Sequence, residues 1–272
     1  MGPISSADML PGLALVLALG AARTIPIVWL VPAFGGRALP IPVRLAMALL
    51  LAAFSVPHSM SGVVAALSPT PGLAAWLLIV AREALIGAAV GLVVSFFFRA
   101  AEAAGVLIDV LRGSNFAEVL APDGGTRSSP LGALYLLLAT VIFLELGGLG
   151  RLAVALERSY EALPVGAGPA GASVAGVQAQ LQLVLVASAK LIESALGLAA
   201  PVIVALLLAD VAMGVVGRVT PALPVHFAAL PLKAVLGVGV VLLGLGALDA
   251  ALVAGWPAWT ALAERGLGLD SR

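Results

Sequence analysis

The sequence predicts an all-α, integral-membrane-type protein made of helical hairpins. Three observations predict it. The chain is 62% apolar and 10% charged, with a mean hydropathy of +1.16, whereas a soluble domain of this length needs far more polar surface to cover itself. The apolar residues gather into about six segments, near 9–34, 43–67, 73–98, 131–150, 181–209 and 232–255, each close to the ~20 residues of a membrane-spanning helix. Fourteen basic residues balance fourteen acidic ones, so no basic excess exists to hold nucleic acid or acidic lipid. Cysteine is absent and the histidines are His58 and His226 alone, which excludes thiol chemistry and disulfides and argues against a metal site.

The segments are flawed as free-standing spans. The first 22 residues hold no Lys or Arg and include Asp8, unlike a cleavable signal, so residues 9–22 are expected in the mature chain. The first segment is cut by Arg23 and Pro26. The second has about a dozen clean residues, Leu45 to Val56, before "PHSMSG". The third carries Arg82 and Glu83, which point about 100° apart on a helix and cannot simply neutralise each other; each is expected to seek a partner on another helix. The fourth contains Glu145, the fifth Lys190, Glu193 and Pro201, the sixth Asp249. A charge at mid-bilayer costs ~2.5–3.5 kcal/mol, and proline frees backbone groups that neighbours must satisfy. The segments therefore read as broken hairpins buried in an assembly. Gly87 and Gly91 in "GAAVG" match a close-packing GxxxG, and Gly237, Gly239, Gly244 and Gly246 line the last segment. Residues 164–177, "PVGAGPAGASVAGV", read as a flexible connector, and 256–272 as a C-terminal tail of a single domain over 1–272. The distribution of Arg and Lys weakly places the loops after segments one, three and five in the cytoplasm.

Polar constellations have two readings each. Lys190 and Glu193 share a helix face at i,i+3, near the stripe of Gln178, Gln182 and Gly197; they form a seam toward a pore or partner, or an internal ion pair. Asp210, Arg218 and Lys233 flank "VAMGVVGRVTPALPVHFAALPLK", whose Gly217, Pro221, Pro224 and Pro231 suggest a re-entrant turn with charges at its base. Asp210 or Glu145 as a proton relay is a weaker reading, since neither sits in a cluster of ionisable groups. The polar stretch "IDVLRGSNFAEVLAPDGGTRSSP" (108–130) interrupts two apolar runs. It is a surface loop turning at "PDGG", or a mobile segment across a conduit, with Asp109 and Arg112 paired at i,i+3 where the preceding helix ends. No P-loop, HExxH or GxSxG occurs, so the chain is expected not to be an enzyme and to use no cofactor or metal.

"GVLIDVLRGSNFAEVLAP" (105–122), "SSPLGALYLLLATVIFLELGG" (128–148), "SYEALPVG" (159–166) and "PVIVALLLADVAMGVVGRVTPALPVHFAALPLK" (201–233) resemble, in order and spacing, the type III secretion export-apparatus family of flagellar FliR and injectisome SctT (YscT, HrcT or SpaR). The resemblance spans roughly residues 10–255. "DVLRG" with Arg112 resembles the injectisome branch more than the flagellar one. One departure stands at Ala222-Leu223-Pro224-Val225-His226, where the family usually carries a Gln-Leu-Asn-like run after the proline at 221.

The resemblance implies one subunit of a helical export-gate assembly in the bacterial inner membrane, multi-pass, and in the injectisome branch tied to virulence. Its partners would be SctR/FliP-like and SctS/FliQ-like subunits, then SctU/FlhB-like and SctV/FlhA-like proteins, with secreted unfolded polypeptides as cargo. It implies a plug within 105–130, with Ile108, Asp109, Arg112, Gly113, Ser114, Asn115, Phe116, Pro122, Gly124 and Gly125 as pore or plug residues. Arg82, Glu83, Glu145, Lys190, Glu193, Asp210, Arg218, Pro221 and Lys233 become buried-charge or assembly residues. The rival from another class is a small-molecule or ion transporter, which predicts an inverted repeat around a midplane site; broken helices are present in the sequence and no repeat is visible.

Overall fold

The computed structural model describes residues 6–36, 39–55, 72–114, 129–163, 174–220 and 225–266. Asn115, Phe116, Pro122, Gly124, Gly125 and Pro221 lie outside them. The described residues form eight α-helices and no strand: α1 Ser6–Leu30, α2 Ile41–Ser55, α3 Leu73–Leu111, α4 Pro130–Glu145, α5 Gly148–Ala162, α6 Val174–Val219, α7 Val225–Leu243 and α8 Leu245–Gly266, with a 3-10 turn at Pro32–Phe34. The chain falls into two compact units. One holds Met1–Phe96, Phe143–Ser188 and Pro257–Arg272, the other Phe97–Ile142 and Ala189–Trp256.

Three helices, α3, α6 and α8, are long and apolar enough to cross a membrane among the described residues. A fourth crossing arises if α4 and α5, bent by 65° at their junction, count as one span. Among the described residues α1, α2 and α7 add the shorter apolar runs Ala14–Leu30, Ile41–Phe54 and Ala229–Leu243. The bend falls at Gly147, whose φ of 68° is costly for any residue with a Cβ. The 46 residues of α6 extend about 69 Å, roughly twice the ~30 Å hydrocarbon core.

Several expected breaks are absent. α1 runs unbroken through Arg23 and Pro26. α6 continues through Gly217 to Val219, and Pro231 lies inside α7, so neither breaks its helix, while Pro221 and Pro224 lie outside the described residues. α6 also begins at Val174, inside the expected connector, and α8 runs past 255 to Gly266, held by buried Trp256, Trp259 and Leu262. Pro201 sits inside α6. The carbonyl its ring crowds is that of residue i−4, here Gly197, which stands in open space.

In the first unit, α1 is the centre. Val16 and Leu19 pack with Ile79 of α3 and Tyr160 of α5, flanked by Leu15 and Trp76. The Tyr160 hydroxyl donates to the Gly20 carbonyl at 3.1 Å, and Thr24 donates to the Ala48 carbonyl of α2 at 2.8 Å. The GxxxG match is used as expected. A Cβ on Gly87 would overlap the backbone carbonyl of Arg23, and one on Gly91 would press on Ile27. Gly87→Ala must therefore push α1 and α3 apart, and is expected to cost about 1–3 kcal/mol, read as a lower unfolding midpoint in detergent. Gly239→Ala is the control: nothing lies within 4 Å of a Cβ there, and helix propensity favours Ala by about 1 kcal/mol. Gly239 and Gly246 thus make no close backbone approach among the described residues.

In the second unit, Phe97 packs edge-to-face on Phe98 and on Trp256, with ring centroids 5.3 and 5.2 Å apart. A Cβ on Gly105 would overlap the backbone of Leu131 and Gly132, so α3 and α4 touch backbone to backbone there.

Candidate functional site: the base of segment 115–128

The stretch "IDVLRGS" stops α3 by a Schellman motif. Gly113 takes φ 82°, its N–H donates to the Val110 carbonyl at 3.1 Å, and the Ser114 N–H donates to the Asp109 carbonyl at 3.1 Å. This is the six-to-one and five-to-two pattern in which glycine supplies the left-handed residue. On the far side of the segment, α4 starts with Ser129 as its cap and Pro130 at the first helical position. The Ser129 Oγ accepts from the Gly132 N–H at 2.9 Å, and proline there loses no hydrogen bond.

Asp109 joins the two ends. Its Oδ1 accepts from Arg112 Nε at 2.7 Å. Its Oδ2 accepts from the Ser129 hydroxyl at 2.5 Å and from the Leu131 N–H at 3.0 Å. The Ser114 hydroxyl donates to the Asp109 carbonyl at 2.8 Å. The side chain is buried, as is Ile108 beside it, and a carboxylate at the N-terminus of α4 also meets the positive end of the helix dipole. Arg112 lies against α7, where its Cβ and Cδ stand 3.5 Å from the position a Cβ on Gly237 would take. The expected i,i+3 pair is therefore present, and it is part of a larger knot.

In the same unit, Lys233 Nζ of α7 meets the Asp210 carboxylate of α6 at 2.9 Å, tying those helices. Lys190 and Glu193 pair at 3.2 Å on an open face of α6, with Glu193 largely exposed. Arg218 and Glu145 are exposed, and no ion pair involves either among the described residues. The structure thus joins Asp210 to Lys233 and leaves Arg218 apart from them.

The first unit carries a second buried network. Arg23, fully buried, donates Nε to Glu83 Oε2 at 2.8 Å, one Nη to Ser159 Oγ at 2.9 Å and the other to the Leu163 carbonyl at 2.9 Å, and lies 4.3 Å over the Tyr160 ring. Glu83 thus finds its partner on another helix, as expected. The Arg82 Nη also reaches the neighbouring Glu83 Oε1, at 3.4 Å, since a long guanidinium stem can curl across the 100° between adjacent positions. Arg23, Ser129 and Ser159 were not among the sequence-predicted site residues. The "S-P" pair before an apolar run signals the Ser129 cap, whereas nothing local marks Ser159.

These features define a helical membrane-type protein whose buried charges tie helices to one another. Residues 14–255 match the family described as bacterial export proteins, family 1, and the chain belongs to it. It is 28% identical to surface presentation of antigens protein SpaR of Salmonella typhimurium over 226 residues, 83% of this chain and 81% of that one. It is 30% identical to flagellar biosynthetic protein FliR of Caulobacter vibrioides over 233 residues, 86% and 89% of the two chains. With Yop proteins translocation protein T of Yersinia pestis it shares 30% over 161 residues, 58% and 59%.

Proposed function

We propose that this chain is an export-gate subunit of a type III protein secretion system in the bacterial inner membrane. It helps line the pore that passes unfolded polypeptides, and residues 112–125 plug that pore at rest. The observation that carries the reading is the Asp109 knot: one buried residue bonds both Ser114 and Ser129, the two described ends of the polar segment. A segment with its ends fixed to one point and its glycines between them can act as a stopper without loosening the helices that bear it. Injectisome and flagellar relatives match at similar identity; Arg112 in "DVLRG" favours the injectisome branch. The role is structural, with the driving chemistry on other chains.

The exposed aliphatic residues of α6, including Leu181, Leu185, Leu208 and Val211, need covering by lipid or by SctR/FliP-like and SctS/FliQ-like subunits, with SctU/FlhB-like and SctV/FlhA-like proteins beyond them. Within the chain itself α6 and α8 are buried far less than α3, so α6 is one of the helices that depend on cover. Native mass spectrometry, on the tagged protein solubilised mildly from its own host with neighbouring genes intact, tests this. One copy of the 27.1 kDa chain with several smaller apolar subunits is the expected result. A monomer or homodimer alone, stable across detergents, overturns the gate and favours the transporter.

A further inference from the structure

The bonds of Asp109 fall into two sets. Those with Arg112 and Ser114 stay within the end of α3. Those from the Ser129 hydroxyl and the Leu131 N–H cross to the start of α4. An aspartate side chain is short, and packed helices ordinarily stand about 8–10 Å apart, so Asp109 can reach the backbone of α4 only where the two helices come closer than usual. Gly105 makes that approach possible. It lies one turn before Asp109 on the same face of α3, and that face is buried at Ala101, Ala104, Ile108 and Asp109. The atoms that a Cβ on Gly105 would meet are backbone: the Leu131 carbonyl and the Gly132 nitrogen. A side chain could turn aside there, whereas backbone can yield only if the helix moves.

We propose that Gly105 is a positioning residue of the gate. Its missing Cβ sets the gap between α3 and α4 at which the Asp109 carboxylate holds the start of α4, and so sets where the two ends of segment 115–128 stand. A methyl group on Gly105 has to move α4 off α3 by about 1 Å before the contact is an ordinary one. The bonds of 2.5 and 3.0 Å across that gap then stretch to or past the limit of a hydrogen bond, although every polar group is still present. The Asp109–Arg112 pair and the Schellman stop of α3 are local and survive. This inference rests on the plug reading and adds to it the contact that fixes the base of the plug. It also implies a remedy. Glutamate at position 109 is longer by one C–C bond, about 1.5 Å, so it overshoots the native gap and spans the widened one.

The test uses the full chain in the assembled gate and reads two quantities: conductance per assembly in bilayers, and amide exchange of the peptide 129–135. Leu131 lies in the first turn of α4, where an N–H has no acceptor within the helix, so its protection depends on Asp109. Gly105→Ala should speed that exchange and raise conductance about tenfold, the factor expected for two hydrogen bonds lost at the base. Asp109→Glu alone should leak as well. The double variant Gly105→Ala/Asp109→Glu should be tighter than either single, a coupling that loss of packing alone does not produce. Gly87→Ala is the control for packing, since its Cβ would overlap the Arg23 carbonyl in the first unit; it should change neither quantity. The positioning role is overturned by unchanged exchange in Gly105→Ala, by an equal leak in Gly87→Ala, or by a double variant no tighter than its singles. A tight Gly105→Ala gate also overturns it where replacing 115–128 by a short Gly/Ser linker opens a leak. Where that replacement opens none, the plug reading itself has failed. Should Gly105→Ala not assemble, Asp109→Glu decides: a gate as tight as wild type overturns the role of the gap, and a leaky one supports it.

Discussion

Glu83→Ala is expected to cost about 3–5 kcal/mol of stability, the range for removing one partner of a buried ion pair. Arg23 is fully buried and its donors all point at fixed acceptors: Glu83, Ser159 and the Leu163 carbonyl. Without the carboxylate, its charge stays in the low-dielectric interior of the first unit, since α1 is pinned at Gly20, Thr24 and Gly87 and cannot turn Arg23 outward. Arg82 loses the same partner. The double variant Arg23→Leu/Glu83→Leu should recover most of the loss, because two aliphatic side chains of similar volume replace a pair whose desolvation nearly offsets its attraction. Ser159 tolerates the change, since its hydroxyl already donates to the Leu156 carbonyl at 2.7 Å. Unfolding midpoints in mild detergent for the two singles and the double give the coupling directly. A Glu83→Ala midpoint equal to wild type would mean that the network contributes nothing to the fold.

Local patterns were legible in the sequence, and distant pairings were not. The GxxxG at Gly87 and Gly91 announced a close helix contact, and the contact is with α1. Asp109 and Arg112 announced a pair by spacing alone. The partner of Glu83 could not be read, since Arg23 lies 60 residues away and each apolar segment offered a charge of its own. The same ignorance made Arg23 and Pro26 look like a break in α1: a charge disrupts an apolar helix only when nothing satisfies it, and here three acceptors do. Gly217 and Pro231 misled in a related way. Each lowers helix propensity by an amount that tertiary packing overrides; the Asp210–Lys233 bridge, between the two helices that contain them, is part of that packing.

Replacing residues 115–128 by a Gly/Ser linker should make the assembled gate leak ions. The linker can be short, about four residues at ~3.3–3.6 Å each, because Ser114 and Ser129 both bond to Asp109 and so stand near one another. Keeping Asp109, Arg112, Gly113 and Ser129 preserves the Schellman stop of α3 and the cap of α4, so the helices should still form and assemble. A gate that rests closed in about 99 of 100 copies and loses its stopper would conduct up to about a hundredfold more. Asp109→Ala keeps the whole segment but removes three of the bonds at its base, to Arg112, Ser129 and Leu131. It should give an intermediate leak, with an assembly of unchanged mass. Conductance across bilayers holding the reconstituted assembly ranks the three. The order linker above Asp109→Ala above wild type is expected if the segment blocks the pore and the knot holds it there. A linker variant as tight as wild type would show that the segment is an ordinary surface loop, and that the knot serves only to cap α3 and α4. A leaky linker variant beside a tight Asp109→Ala would separate the two roles: the segment blocks, and its own contacts in the pore, rather than its anchored base, hold it in place.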